Sequence, residues 1–235
     1  MIKAFIFVFI IFTYNIIFLD VDTLARIGDE DNLIENLGAI FLLTASILFI
    51  TIYSKSSGLG NSFGKYHTNK NVFYILLAAF FFLCFAEEIS WGQRIIGWET
   101  PTAIKEVNLQ EETNLHNLEI FDWGQINLVT LFSVFWLSYF VFVPLLNRYS
   151  SRANGFFKTI ALPCPPLWIG GLFLVNYFTA KFVYLSNADA HKSIIDAINE
   201  LKESNHAFNF AVFGIYELKA VLLKLKGREK KPPHP

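Results

Sequence analysis

Glu87 and Glu88 stand side by side where an uncharged stretch rich in Phe, Leu and Ala, residues 72–86, gives way to Ile-Ser-Trp91-Gly-Gln93-Arg94. A carboxylate beside lipid costs on the order of a few kcal/mol unless water, a partner or a proton relieves it. A pair in this position is therefore the best pointer to function in the chain. If the helix runs on to residue 94, Glu87, Trp91 and Arg94 share one stripe and Glu88 is turned about 100° away. Further along, Glu112, His116 and Glu119 form a second stripe at the same spacing. Folding the second set back onto the first would gather carboxylates and an imidazole near Glu87 or Glu88.

Such a gathering suits two chemistries. Glu88, Glu112 and His116 could ligate a divalent metal that keeps open positions for water or substrate. Alternatively, Glu87 or Glu88 serves as a general base with His116 as partner and Glu112 positioning the imidazole, while Arg94 or Asn114 stabilises developing negative charge. The interval Glu112-Thr-Asn-Leu-His116 is neither HExxH nor the ExxH of di-iron bundles. Plainer uses exist: an ion pair of the first two acids with Arg94, a His116 satisfied by Glu112 or backbone, and a solvated acidic face for Glu106, Glu111 and Glu119. His191 and His206 read as surface or capping residues, and Asn209 as an interhelical hydrogen-bonding group.

The run EEISWGQRIIGWETP, with NLQEETNLHNL after it, resembles a signature of uncharacterised multi-pass bacterial membrane proteins over about residues 85 to 120. That likeness implies location and topology and leaves activity open. The same residues resemble more distantly the CAAX-type intramembrane protease and bacteriocin-processing family. Glu87 and Glu88 would match its Glu pair, Arg94 its Arg and His116 a later His. Arg94 follows Glu88 by six residues instead of the four of that family, and His206-Ala-Phe-Asn209 is one residue short of its His-to-Asn interval.

The elements that must position these residues are membrane helices. The chain is 54% hydrophobic and 17% charged, with 26 Phe against one Met, where soluble domains are about 25% charged. The fold class read from this is all-α: a polytopic helical membrane protein with about six transmembrane helices and a short helical cap on the outer side. Spans fall near 3–20, 33–53, 72–90, 125–146, 167–186 and 206–224, with the cap at 91–124 and a disordered basic tail at 227–235. The first span resembles a signal peptide, but no small-x-small site precedes Asp20, so it reads as an uncleaved anchor. Lys55, Lys65 and Lys70, and then Arg148, Arg152 and Lys158, occupy loops without acids. These loops and both termini are expected in the cytoplasm of a bacterial inner membrane, with 20–32 and 87–124 outside. Within the cap, Thr100-Pro101 predicts one helix start, and Asn108 with Glu111 predicts a second helix over about 109–121. Residues 187–205 predict a short amphipathic helix on the outer surface.

Cys84 and Cys164 form neither a disulfide framework nor a metal spacing. No basic, aromatic-interleaved patch points to nucleic acid. The expected partners are the lipid bilayer and a lipid or membrane-protein substrate. A hydrolase or transferase leads, a non-catalytic scaffold or accessory subunit follows, and a transporter comes third, since no internal repeat suggests alternating access.

Overall fold

The computed structural model describes residues 2–28, 33–109, 111–115, 117–122 and 128–229. His116, Trp123, the start of the expected fourth span and the end of the basic tail lie outside the described residues, as does the side chain of Arg94. The chain is nearly all helical.

Helix α1 (Ile2–Thr13) runs into a 3-10 turn, Tyr14–Phe18, and is followed by α2 (Val21–Gly28) and α3 (Leu33–Lys55). A two-stranded hairpin, β1 (Ser62–Phe63) and β2 (Tyr66–His67), leads to α4 (Val72–Glu88). Short helices α5 (Gln93–Ile96), α6 (Thr102–Lys105) and α7 (Glu119–Asp122) punctuate the next segment. Then come α8 (Leu128–Trp136), a π-helical turn (Leu137–Phe142), α9 (Val143–Tyr149), α10 (Ser151–Thr159), α11 (Leu167–Ser186) and α12 (Lys192–Glu229).

Among the described residues, three helices are long and apolar enough to cross a membrane: Val21–Lys55, which contains α3, Leu128–Tyr149, and α11. The starts and stops follow local chemistry. Asn71 caps α4 by accepting from Phe73 N at 3.0 Å. Ser150 caps α10 by accepting from Ala153 N. Pro163, Pro165 and Pro166 lack the N–H a helix needs, and α11 begins directly after them.

The expected surface helix over 187–205 and the sixth span over 206–224 form one element, the 38-residue α12. No Gly or Pro interrupts residues 192–213, and Ala197, Ile198, Leu201 and Ala207 carry one buried face through the polar run Lys202–His206. α12 packs against α2, α3 and α11, and α4 packs on α3.

Aromatic rings fill the centre. Phe140 meets Phe173 at 4.4 Å between ring centroids, and Phe81 meets Phe210 at 4.7 Å. Such pairs contribute roughly 0.5–1.5 kcal/mol beyond their buried area. The π turn has a covalent cause. Pro144 lacks the N–H that Phe140 O would accept in an α-helix. That carbonyl instead faces Gly170, where an added Cβ would lie only 2.2 Å from it.

At the end of the bundle carrying the hairpin, Asn61 Nδ2 donates to Ile160 O at 2.7 Å and Asn71 Nδ2 to Ala161 O at 2.6 Å. These two amides tie the hairpin to the chain between α10 and α11. Glu88 and the segment that follows it lie at the opposite end of α4.

Candidate functional site

α4 ends because the residues after it leave the right-handed region. Ser90, Trp91 and Gly92 have φ of 47°, 56° and 88°. Gly92 adopts this conformation freely, whereas Ser90 and Trp91 each cost on the order of 1–3 kcal/mol and persist because surrounding contacts hold them. The stripe of Glu87, Trp91 and Arg94 expected from a helix running to residue 94 is therefore replaced by a tight reversal. Glu87 and Trp91 still meet: the indole Nε1 donates to Glu87 Oε1 at 2.6 Å.

The segment after the reversal folds back onto this turn. Leu115 N donates to Glu87 Oε2 at 2.6 Å. Ser90 Oγ donates to Glu112 Oε2, and Asn114 Nδ2 donates to the same oxygen at 2.9 Å. Asn114 Nδ2 also lies 3.2 Å from Ser90 Oγ. Gln93 adds a second tie, accepting from Thr113 N at 2.8 Å and donating to Thr100 Oγ1 at 2.9 Å. Ser90 and Asn114 are buried, while Glu87, Glu88 and Glu112 are half-buried.

The expected helix over 109–121 does not form; only its last residues are helical, in α7. The chain instead makes a loop closed by a bridge between Asn108 and Leu118, with Leu109 N donating to Asn117 O at 2.8 Å and Glu119 N to Val107 O at 2.9 Å. Asn108 explains this. Its Oδ1 accepts from Glu112 N at 3.1 Å and its Nδ2 donates to Asn114 O at 3.0 Å. Side chains that bond nearby backbone compete with the helix, and Glu111 takes a left-handed φ of 59°. Glu112 and Glu119 therefore share no helical stripe. Thr100 caps no helix either; α6 starts after Pro101, and Thr100 serves the Gln93 and Thr113 contacts.

The structure thus brings Glu87 and Glu112 to one turn, with Glu88 beside them in sequence. His116 follows Leu115, whose amide Glu87 holds, but itself lies outside the described residues. Among the described residues, no group of three or more His, Cys, Asp or Glu could hold a metal ion. The ligand set Glu88, Glu112 and His116 includes a residue beyond them. Glu111 pairs with Lys105 at 2.7 Å, and its carboxylate raises the Lys105 amine above the usual lysine range. Both are solvent-exposed, so the pair contributes little to stability.

Beside the turn lies a half-open cavity of about 260 Å³ lined by Trp91, Ile104, Thr113, Asn114, Leu115 and Leu118. Sequence reasoning missed Ser90, Gln93 and Thr113, and read Asn108 only as a helix cap. The density of Asn and Thr over 108–114 is a signal for side-chain-closed turns. Nothing local marks Ser90, whose role depends on a residue 22 positions away.

A second polar locus sits inside the bundle. Tyr14 OH donates to Asn176 Oδ1 at 2.7 Å, Asn176 Nδ2 to Lys202 O at 2.8 Å, and Asn205 Nδ2 to Thr13 Oγ1 at 3.0 Å. His206, expected at the surface, is 3% exposed and stands among Phe132, Trp136 and Phe173, its ring 5.4 Å from Trp136 and 5.5 Å from Phe173. Among the described residues, no group bonds either ring nitrogen or the Asn209 amide, expected to bond between helices. Glu217 is also buried, and it accepts from Tyr74 OH at 2.6 Å.

Compared with known proteins, the chain matches no family model, no curated protein and no solved structure.

Proposed function

We propose that the protein crosses a bacterial plasma membrane six times, with both termini in the cytoplasm, and acts as a hydrolase or transferase on a lipid or membrane-embedded peptide at an outward-facing site. The acid-free basic loops around the hairpin and around α10 support that orientation. One observation supports the enzymatic part above others: the Ser90 hydroxyl rests on the Glu112 carboxylate, in a left-handed turn, beside an apolar cavity.

In this reading Ser90 Oγ attacks an acyl carbon and passes its proton to Glu112, while the carbonyl electron pair moves to oxygen. Asn114 Nδ2 stabilises that oxyanion. Collapse breaks the bond to the leaving group, which takes the proton from Glu112, and water or an acceptor alcohol repeats the sequence on the acyl-enzyme. Glu87 is a clamp, since the Trp91 indole and the Leu115 amide occupy its two oxygens. Glu88 and His116 remain the second acid–base pair, or a divalent metal's ligands, with Arg94 supplying positive charge.

The scaffold reading has its own support, because the same Glu87 clamp is what an acid does when its task is to fold the cap. Fluorophosphonate labelling and metal analysis of purified protein separate the two. Labelling lost on Ser90→Ala, or a stoichiometric metal lost on Glu88→Gln and His116→Ala, is expected of the enzyme. Absence of both, in protein that keeps its thermal unfolding transition, overturns the enzymatic reading.

A further inference from the structure

Resting on that reading, we infer that the cavity beside Ser90 receives one acyl chain of a lipid, which makes the substrate class a lipid in preference to a membrane-embedded peptide. Three observations converge on this.

The walls are apolar: Trp91, Ile104, Leu115 and Leu118 face the space, and Trp91 and Leu115 are 41% and 55% exposed. The volume, about 260 Å³, falls below the roughly 300–1,000 Å³ that encloses a whole small-molecule ligand. One chain end fits this volume better than a complete lipid or a folded peptide.

Backbone pairing argues against a peptide. An extended peptide binds by hydrogen-bonding along unpaired backbone, and the backbone around this cavity is engaged. Thr113 N donates to Gln93, Leu115 N to Glu87, Leu118 N to Leu115 O and Ile104 N to Pro101 O, while Asn114 O accepts from Asn108. A hydrocarbon chain asks for no such partners.

The folded-back segment that forms the cavity also carries exposed apolar side chains. Ile95, Ile96, Leu109 and Ile120, all on the folded-back segment, are between 53% and 74% exposed. Phe82 and Leu83, about two turns before the reversal on α4, are exposed as well. Large exposed apolar residues gathered near one end of a helix are what a membrane interface presents, and this supports a lipid as the occupant. Of the three polar groups, Asn114 lines the cavity, and its Nδ2 reaches both Ser90 Oγ and Glu112 Oε2, so an ester at the head of the chain would meet Asn114 first, with the buried Ser90 behind it.

The test is photocrosslinking in nanodiscs with a phospholipid carrying a diazirine in its acyl chain, mapped by peptide mass spectrometry. Crosslinks are expected within residues 104–118. Filling the cavity by Leu118→Trp, or from the other wall by Ile104→Trp, should lower them about tenfold. Crosslinks at the exposed Phe178 and Phe182 of α11 should persist in both variants and report that the fold is intact. Crosslinks at α11 without any at 104–118, or indifference to both cavity-filling variants, would overturn the inference. The enzymatic reading would still stand if fluorophosphonate labelling required Ser90. Crosslinking without that labelling would do the reverse.

Discussion

Glu112 accepts from two buried donors, Ser90 Oγ and Asn114 Nδ2, so truncating it removes the acceptor of the Ser90 hydroxyl and leaves Asn114 Nδ2 only its 3.2 Å contact with Ser90 Oγ. Glu112→Ala should destabilise the protein by about 1–3 kcal/mol, the cost of stranding buried donors, read as a lower midpoint of thermal unfolding in detergent. His206 predicts the opposite sign. Its two ring nitrogens have no protein partner among the described residues, and its ring already lies among Phe132, Trp136 and Phe173. His206→Phe should therefore raise the same midpoint by an amount worth roughly 1–2 kcal/mol; a lower midpoint would show that the imidazole does more than fill space. Cys164 offers a pH test. Burial pushes its thiol up to about 11. Since only the thiolate reacts, maleimide labelling at Cys164 should be slow near neutrality and rise with pH toward that value.

Backbone features decide how the helices fit. Gly170 lies so close to Phe140 O that a Cβ there would be 2.2 Å away. Gly170→Ala should push α11 off the π turn and cost about 1–3 kcal/mol, as overpacking does, again visible in the unfolding midpoint. The starts of α4 and α11 have local causes, because Asn71 and the Pro163–Pro166 run act through neighbouring residues alone, whereas the end of α4 at Glu88, short of the residue 94 that the stripe assumed, depends on the left-handed turn at Ser90 and Trp91. The π turn was not legible in the sequence, since its cause at Pro144 takes effect only when Gly170 arrives from another helix. The loop over 108–118 was misread as a helix because a capping pattern at Asn108 was weighed without the competing bonds that the same side chain makes to Glu112 and Asn114. His206 was misread for a related reason: its neighbours Phe132, Trp136 and Phe173 come from α8 and α11, and no helical period in α12 announces them. Of the candidate site, the acids were visible in advance, whereas the hydroxyl and amides that bind them emerge only once residue 90 meets residues 112–115.

Taken as a whole, the molecule has two chemically distinct ends joined by α12, whose 38 residues span about 57 Å at 1.5 Å each. That is well beyond the roughly 30 Å of a bilayer's hydrocarbon. One end is tied by Asn61 and Asn71 among basic loops. The other carries Glu87, Ser90 and Glu112 under the folded-back segment. The account depends on that folding-back and on its facing outward, and one pair of residues reports both. Thr100 and Thr113 approach with their hydroxyls 3.3 Å apart, which puts the two side chains next to each other, as a cysteine pair must be before it can oxidise. In intact cells, T100C combined with T113C should crosslink on mild oxidation, and a membrane-impermeant reductant added outside should reverse the crosslink. A pair that never crosslinks, or one reduced only after the membrane is opened, would contradict the account.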